Sequence, residues 1–261
     1  MRIALIGYGN VGRAFSNLLK RQHSSHPFRI AGIHTARHGT SYSDQPDFGP
    51  AAASVEEFLD RAKPDIVAEI TTLNPATGEP AIAHIRAALA RGRHVITANK
   101  GPIAHAYAAL RDQAREARVK FRFESTVMDG VPVFNMVRND LPGVKILGFT
   151  GVLNSTSKVV IEAMREGQSM QAGIEAARRL GITEADASYD TDPLAAVTGT
   201  SNLLLLHTDL MGTIGTMGVN CGVEQTAYGL FSDAVDIARG VQECPIMNLP
   251  MLPSNVRRQP G

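Results

Sequence analysis

The sequence predicts an α/β protein: a doubly wound, mostly parallel sheet with a smaller α/β domain inserted into it. Three observations carry this. An apolar run with β-branched residues, Arg2 to Ile6, feeds a helical pattern through a glycine-rich turn. Apolar runs then alternate with amphipathic stretches as far as Phe123, and an amphipathic stretch over Gln225 to Gly240 is expected to return as a helix onto the first domain. Such alternation implies parallel strands covered by helices on both faces.

The first unit is the most specific. Arg2 to Ile6 leads into Gly7-Tyr8-Gly9-Asn10-Val11-Gly12, and Arg13 to Arg21 carries Ala14, Phe15, Leu18 and Leu19 at helical spacing. G-x-G-x-x-G between a strand and a helix is the context this motif needs to read as a dinucleotide-binding, Rossmann-type turn. Gly7 permits the tight turn, Gly9 lets a pyrophosphate approach the backbone, and Gly12 lets the helix pack on the strand. The first N–H groups of the helix, over Asn10 and Val11, then face the phosphates.

The second strand is expected over Arg29 to Ile33, followed by His34-Thr35-Ala36-Arg37-His38. NAD sites place an acid at about this point, but none occurs here before Asp44. A guanidinium pairs with a 2′-phosphate that a carboxylate would repel. The expectation is therefore NADP, with Arg37 the main contact, Thr35 or His38 secondary, and NAD the alternative cofactor.

Further units follow in order: a strand over Asp65 to Thr71, a helix over Pro80 to Arg91, a strand over His94 to Thr97, a helix over Ile103 to Arg118 and a strand over Lys120 to Phe123. Ligands of open parallel sheets sit beyond the C-terminal strand ends. Thr71, Thr72, Asn99, Lys100 and Glu124 are thus expected at the crevice rim. An ammonium at Lys100 could polarise or protonate a carbonyl oxygen as hydride arrives.

Several motifs stand in one order: Thr97-Ala98-Asn99-Lys100, Glu124 to Pro132, Gly151-Val152-Leu153-Asn154-Ser155-Thr156, Gly181 to Asp186, Pro193 to Asn202, Thr226-Ala227 and Asp233 to Arg239. In these the chain resembles homoserine dehydrogenases over residues 1–240. The resemblance implies a nucleotide domain, an α/β substrate domain that also forms a homodimer, and NAD(P)-dependent interconversion of an amino-acid semialdehyde and its alcohol. It implies catalytic roles for Lys100 and Glu184, with Glu184 on the substrate's amino group and Asn154, Thr156 and Asp190 as further substrate contacts. It also departs from the family. Ser155 replaces a glycine and Lys158 an asparagine, and the chain after Asp190-Thr191-Asp192 runs straight into Pro193. The family carries an active-site aspartate and lysine there. The corresponding positions without a gap are Ala195 and Gly199, which transfer no proton, and Lys158 is the nearest substitute.

The expected organisation is interrupted: a nucleotide domain over 1–130 plus 213–240, a substrate domain over 131–212 and an extended tail over 241–261. Gly218 to Gly222 is expected near the nicotinamide, with Gly222 a cofactor contact. Composition fits a small-molecule enzyme. The chain has 261 residues, 44 % hydrophobic and 20 % charged, and a formal net charge of +1 with its basic residues dispersed, which points away from nucleic acid and anionic membranes. The apolar start is too short for a signal peptide and no run spans a bilayer. Cys221 and Cys244 lack metal-type spacing, and the eight histidines form no helical pair. The expectation is a cytoplasmic protein without a metal.

Overall fold

The computed structural model describes residues 1–153, 163–164, 166–179 and 201–240. The first lobe opens with β1 (Arg2–Ile6), α1 (Asn10–Arg21), β2 (Arg29–Thr35) and β3 (Gly39–Ser41). It continues with α2 (Val55–Ala62), β4 (Ile66–Glu69), α3 (Ala81–Ala90), β5 (His94–Thr97), α4 (Lys100–Glu116) and β6 (Phe121–Arg122). These strands form one sheet in the order β3-β2-β1-β4-β5-β6. All pairings are parallel except β2 with the short edge strand β3. The order reverses at β1, between β2 and β4, which is where such sheets open a crevice for a dinucleotide.

The residues explain the strands. Ile3, Ala4, Leu5 and Ile6 are at most 1 % exposed, as required of a central strand covered on both faces. One face packs Ile3 and Leu5 with Phe15, Leu18 and Leu19 of α1. The other packs Ala4 and Ile6 with Phe58 and Leu59 of α2 and with Ile85 and Leu89 of α3. The sequence reading did not identify α2, although Ser54-Val55-Glu56-Glu57 carries the signal. The Ser54 hydroxyl accepts from the Glu57 N–H (3.2 Å) and the Glu57 carboxylate from the Ala53 N–H (2.8 Å), a reciprocal arrangement that fixes a helix start.

Two 3₁₀ turns, Glu124–Thr126 and Met128–Gly130, lead to α5 (Phe134–Asn139) and the second lobe. There β7 (Ile146–Val152), β8 (Asn202–Thr208) and β9 (Thr213–Gly218) form an antiparallel sheet in that order, and α6 (Met170–Arg179) lies between β7 and β8 in the chain. Leu204 and Leu206 pack from β8 onto Met128, Val131, Val133 and Leu141. Residues 213–218 are therefore paired with β8, and the return to the first lobe starts later than the expected 213, at α7 (Val223–Ala238).

The amphipathic stretch is a helix as expected: α7 buries Ala227, Leu230, Phe231, Ala234, Val235 and Ile237 in the core that also holds Phe15 and Leu18 of α1, and Ala238 is exposed at its end. Asp233 and Asp236 are buried too, because the opposite face of α7 meets a polar seam from the 3₁₀ turns and α5. Among the described residues no helix is long and apolar enough to cross a membrane, and no cluster of three or more His, Cys, Asp or Glu could hold a metal ion.

Candidate active site

The glycine turn has the geometry its spacing predicts. Gly7 sits at φ +102°, and a Cβ there would stand 2.5 Å from the Ile70 carbonyl oxygen, so the turn passes directly over the end of β4. A Cβ on Gly12 would meet the Gly7 carbonyl and the Ile70 side chain at 3.1 Å. Around Gly9, by contrast, nothing lies within 4 Å of that position, which leaves open space in front of the first turn of α1. No side chain caps that turn and it holds no acidic residue, so its N–H groups and positive dipole end are available to a pyrophosphate. Asn10 is exposed and Val11 half-buried in the same turn. The cradle fits a dinucleotide.

The end of β2 lies beside this turn, since the Gly7 N–H donates to the His34 carbonyl (2.9 Å). The strand runs on to Thr35, two residues beyond the expected end. A tight turn then leads into β3, and Thr35 is spent on it. Its hydroxyl donates to the Gly39 carbonyl (3.2 Å) and accepts from the His38 N–H (2.9 Å), and the residue is buried. Thr35 thus shapes the loop and does not present its hydroxyl to a ribose. Arg37 is exposed at the tip, and the His38 ring stands 5.9 Å from Phe48, itself 6.1 Å from Tyr8 of the glycine turn.

At the opposite wall the C-terminal ends of β4 and β5 are tied by Glu69, which the sequence reading passed over. Its side chain is fully buried, and it accepts from the Thr71 N–H (3.2 Å) and the Thr71 hydroxyl, with the His84 Nδ1 3.5 Å away. The Thr97 hydroxyl donates to the Glu69 carbonyl (2.8 Å). Thr71 is therefore half-buried with its hydroxyl turned inward, and Thr72 is exposed at the rim. Asn99 also lies behind the rim, 4 % exposed: its Oδ1 accepts from the Gly101 N–H (3.1 Å) as the cap of α4, and its Nδ2 donates to the Thr71 carbonyl (3.3 Å). The only signal for these roles was a polar residue at each strand end. Sequence could place them there but not say which way they face.

Asn99 thereby fixes the residue after it. Lys100 is the first residue of α4, half-buried. Burial pushes its pKa below the usual lysine value, and the carboxylate of Asp129 opposes that shift. The N-terminal end of a helix is also where a cation is least favoured. Asp129 accepts from Nδ2 of Asn202 (3.3 Å), the fully buried first residue of β8. Cys221, buried in the turn before α7, faces both. Burial raises its thiol pKa, Asp129 adds to the rise, and the Asn202 amide opposes it. Next to it, the Gly222 N–H donates to Oε1 of Gln225 (3.0 Å) at the start of α7. Asp129 and Asn202 are thus joined from segments far apart in sequence, and the charge of Asp129 is felt at both Lys100 and Cys221.

Glu124 is not at the rim. It is 1 % exposed, and its carboxylate accepts from the N–H groups of Val133 (2.5 Å), Phe134 (3.0 Å) and Asn135 (2.7 Å), closing the start of α5. Burial raises its pKa, and those three bonds and Arg138 act against the rise. Its own N–H donates to the buried Asp233 carboxylate (2.8 Å). Burial and the nearby Glu124 push the Asp233 carboxyl well above the carboxylate range. The predicted residues Asn154, Thr156, Lys158, Glu184 and Asp190, with Ala195, Gly199, Cys244 and the tail over 241–261, lie outside the described residues.

Residues 7–124 match the family described as homoserine dehydrogenase, NAD binding domain, and residues 132–193 match the family described as homoserine dehydrogenase. A homoserine dehydrogenase of Sulfurisphaera tokodaii is 34 % identical over 226 residues, covering 84 % of this chain and 74 % of that protein. An NAD(+)-dependent homoserine dehydrogenase of Pseudomonas canavaninivorans is 35 % identical over 216 residues, covering 73 % of this chain and 61 % of that protein. A hyperthermophilic archaeal homoserine dehydrogenase solved in complex with NADPH superposes with a TM-score of 0.81 at 22 % identity, covering 93 % of this chain and 98 % of that one.

Proposed function

The chain belongs to the homoserine dehydrogenase family, and from that premise we propose that it is an NADP-dependent oxidoreductase interconverting an amino-acid semialdehyde and its alcohol. The observation that carries the reading is Lys100, held at the capped start of α4 in a crevice that the glycine turn opens to a dinucleotide. The bound nucleotide supplies or accepts the hydride. Gly7, Gly9, Asn10, Val11 and Gly12 hold its pyrophosphate, Thr72 lines the rim, Gly222 lies at the nicotinamide end, and Lys100 gives a proton to the carbonyl oxygen or takes it from the alcohol. The resemblance assigns the substrate's amino group to Glu184 and further substrate contacts to Asn154, Thr156 and Asp190. The exposed Leu147 and Phe149 of β7, 69 % and 66 % accessible, favour a homodimer through the second lobe, in the cytoplasm.

Arg37 decides the nucleotide. NADP is expected to bind more tightly than NAD, and Arg37→Ala to abolish that preference while leaving NAD affinity unchanged. Calorimetry with both cofactors checks this, and equal affinities in the wild type refute it.

Substrate turnover tests the chemistry. Because the resemblance implies an acid and a lysine where this chain, aligned without a gap, has Ala195 and Gly199, oxidation of L-homoserine at saturating NADP is expected to run at least ~100-fold below the ~10 s⁻¹ typical of enzymes. A screen of amino-acid alcohols for NADPH formation should find a better substrate. Homoserine turnover near ~10 s⁻¹ would show that the second lysine is dispensable, and no hydride transfer to any candidate would refute the oxidoreductase reading.

A further inference from the structure

We propose that Glu69 is a positioning residue for the bound nucleotide: its buried carboxyl group anchors a closed ring of hydrogen bonds that sets the edge of the glycine turn and the start of α4 as one unit. The inference rests on the reading of the crevice as a dinucleotide site and adds to it a residue that acts from behind the wall.

Glu69 departs from the pattern of its own strand. A strand of a parallel sheet covered on both faces is apolar, and Ile66, Val67 and Ala68 conform. The last residue of β4, 0 % exposed, is instead a glutamate. A carboxyl group buried without hydrogen-bond partners is costly, so its presence where the sheet opens is explained by the groups it holds.

Glu69, Thr71, Asn99 and Thr97 close the ring. Oε1 of Glu69 accepts from the Thr71 hydroxyl and from the Thr71 N–H (3.2 Å). The Thr71 carbonyl accepts from Nδ2 of Asn99 (3.3 Å). The Asn99 N–H donates to the Thr97 hydroxyl oxygen (3.0 Å), and that hydroxyl donates back to the Glu69 carbonyl (2.8 Å), with Oε2 of Glu69 3.4 Å away. Both sides of the ring bear on the crevice. The glycine turn crosses the Thr71 side, where a Cβ on Gly7 would stand 3.0 Å from the Thr71 nitrogen. On the other side Asn99 caps α4 by accepting from the Gly101 N–H (3.1 Å). Nδ1 of His84, 3.5 Å from Oε1, is at the limit of hydrogen bonding and is not needed to close the ring.

A closed ring fails as a whole. Thr97→Val cuts it at β5, and Asn99→Ser cuts it at the Thr71 carbonyl while leaving a good cap for α4. Each is expected to raise the NADP dissociation constant about fivefold, the scale of one hydrogen bond. The double variant should be hardly weaker than either single one, because an open ring has little left to lose, whereas independent supports would multiply to about 25-fold. Glu69→Ala should weaken binding about tenfold or more. Glu69→Gln should stay near wild type, its Oε1 serving Thr71 and its amide facing Thr97.

Amide hydrogen exchange reads the ring without any nucleotide. Thr97→Val should speed exchange at the Thr71 amide, to which Thr97 is joined through Glu69 and Asn99. Should Glu69→Ala fail to fold, the threonine and asparagine variants carry the test. Losses that multiply in the double variant, a Glu69→Gln as weak as Glu69→Ala, or an unchanged Thr71 exchange rate in Thr97→Val overturns the inference. A wild type that binds neither NADP nor NAD refutes the dinucleotide reading and with it the role of Glu69 there, while faster Thr71 exchange would still show the ring.

Discussion

Lys100→Ala is expected to lower kcat by more than ~10²-fold while the affinity for NADP hardly changes. The side chain follows the cap residue Asn99 at the start of α4, and burial pushes its pKa down toward the range of proton transfer, so its contribution is expected on proton transfer and not on holding the cofactor. Measuring kcat, KM and the cofactor dissociation constant on the same preparation separates these effects. Loss of NADP binding with unchanged kcat would make Lys100 a phosphate or ribose ligand, and no change in either would return it to the surface.

The second large effect is on stability. Glu124→Ala removes the acceptor for three backbone N–H groups at the start of α5 in a site only 1 % exposed. Each buried donor left without a partner costs about 1–3 kcal/mol, so a loss of about 3 kcal/mol or more is expected from denaturant titration. A loss under about 1 kcal/mol would mean that α5 rearranges to satisfy itself. Glu124→Gln keeps an acceptor oxygen and should lose less.

The same variants have a pH signature. The folded-state pKa of Glu124 is raised, by burial first. Its stabilisation is then fully present below the unfolded carboxyl value and declines as pH rises through the raised one. Glu124→Gln should accordingly flatten the fall in stability over that window, although Asp233, raised in the same sense, leaves a residual slope.

The chain's first βα units were legible because their signals are local. A buried two-sided strand must be apolar, a tight turn over a neighbouring strand must be glycine, and a helix that packs on one side must repeat at its own period. Ile3 to Ile6, Gly7, Gly12 and Phe15, Leu18 and Leu19 all follow from these constraints. The position of Lys100 was legible for the same reason, since it follows β5 directly as the first residue of α4, beyond a C-terminal strand end of the parallel sheet.

What tertiary structure alone decided is how polar side chains face once the chain has folded. Glu124 and Asn99 both follow strands, yet one closes α5 and the other fastens α4 to Thr71. The return of the chain was expected from residue 213, but residues 213–218 could bury Ile214 against Leu206 by pairing with β8. Asp129 had no sequence signal of its own. Its hydrogen-bond partner Asn202 is 73 positions away in the numbering, and periodicity carries no information over such a separation. Only the packing of β8 onto the 3₁₀ turn at Met128–Gly130 brings the Asn202 amide to that carboxylate.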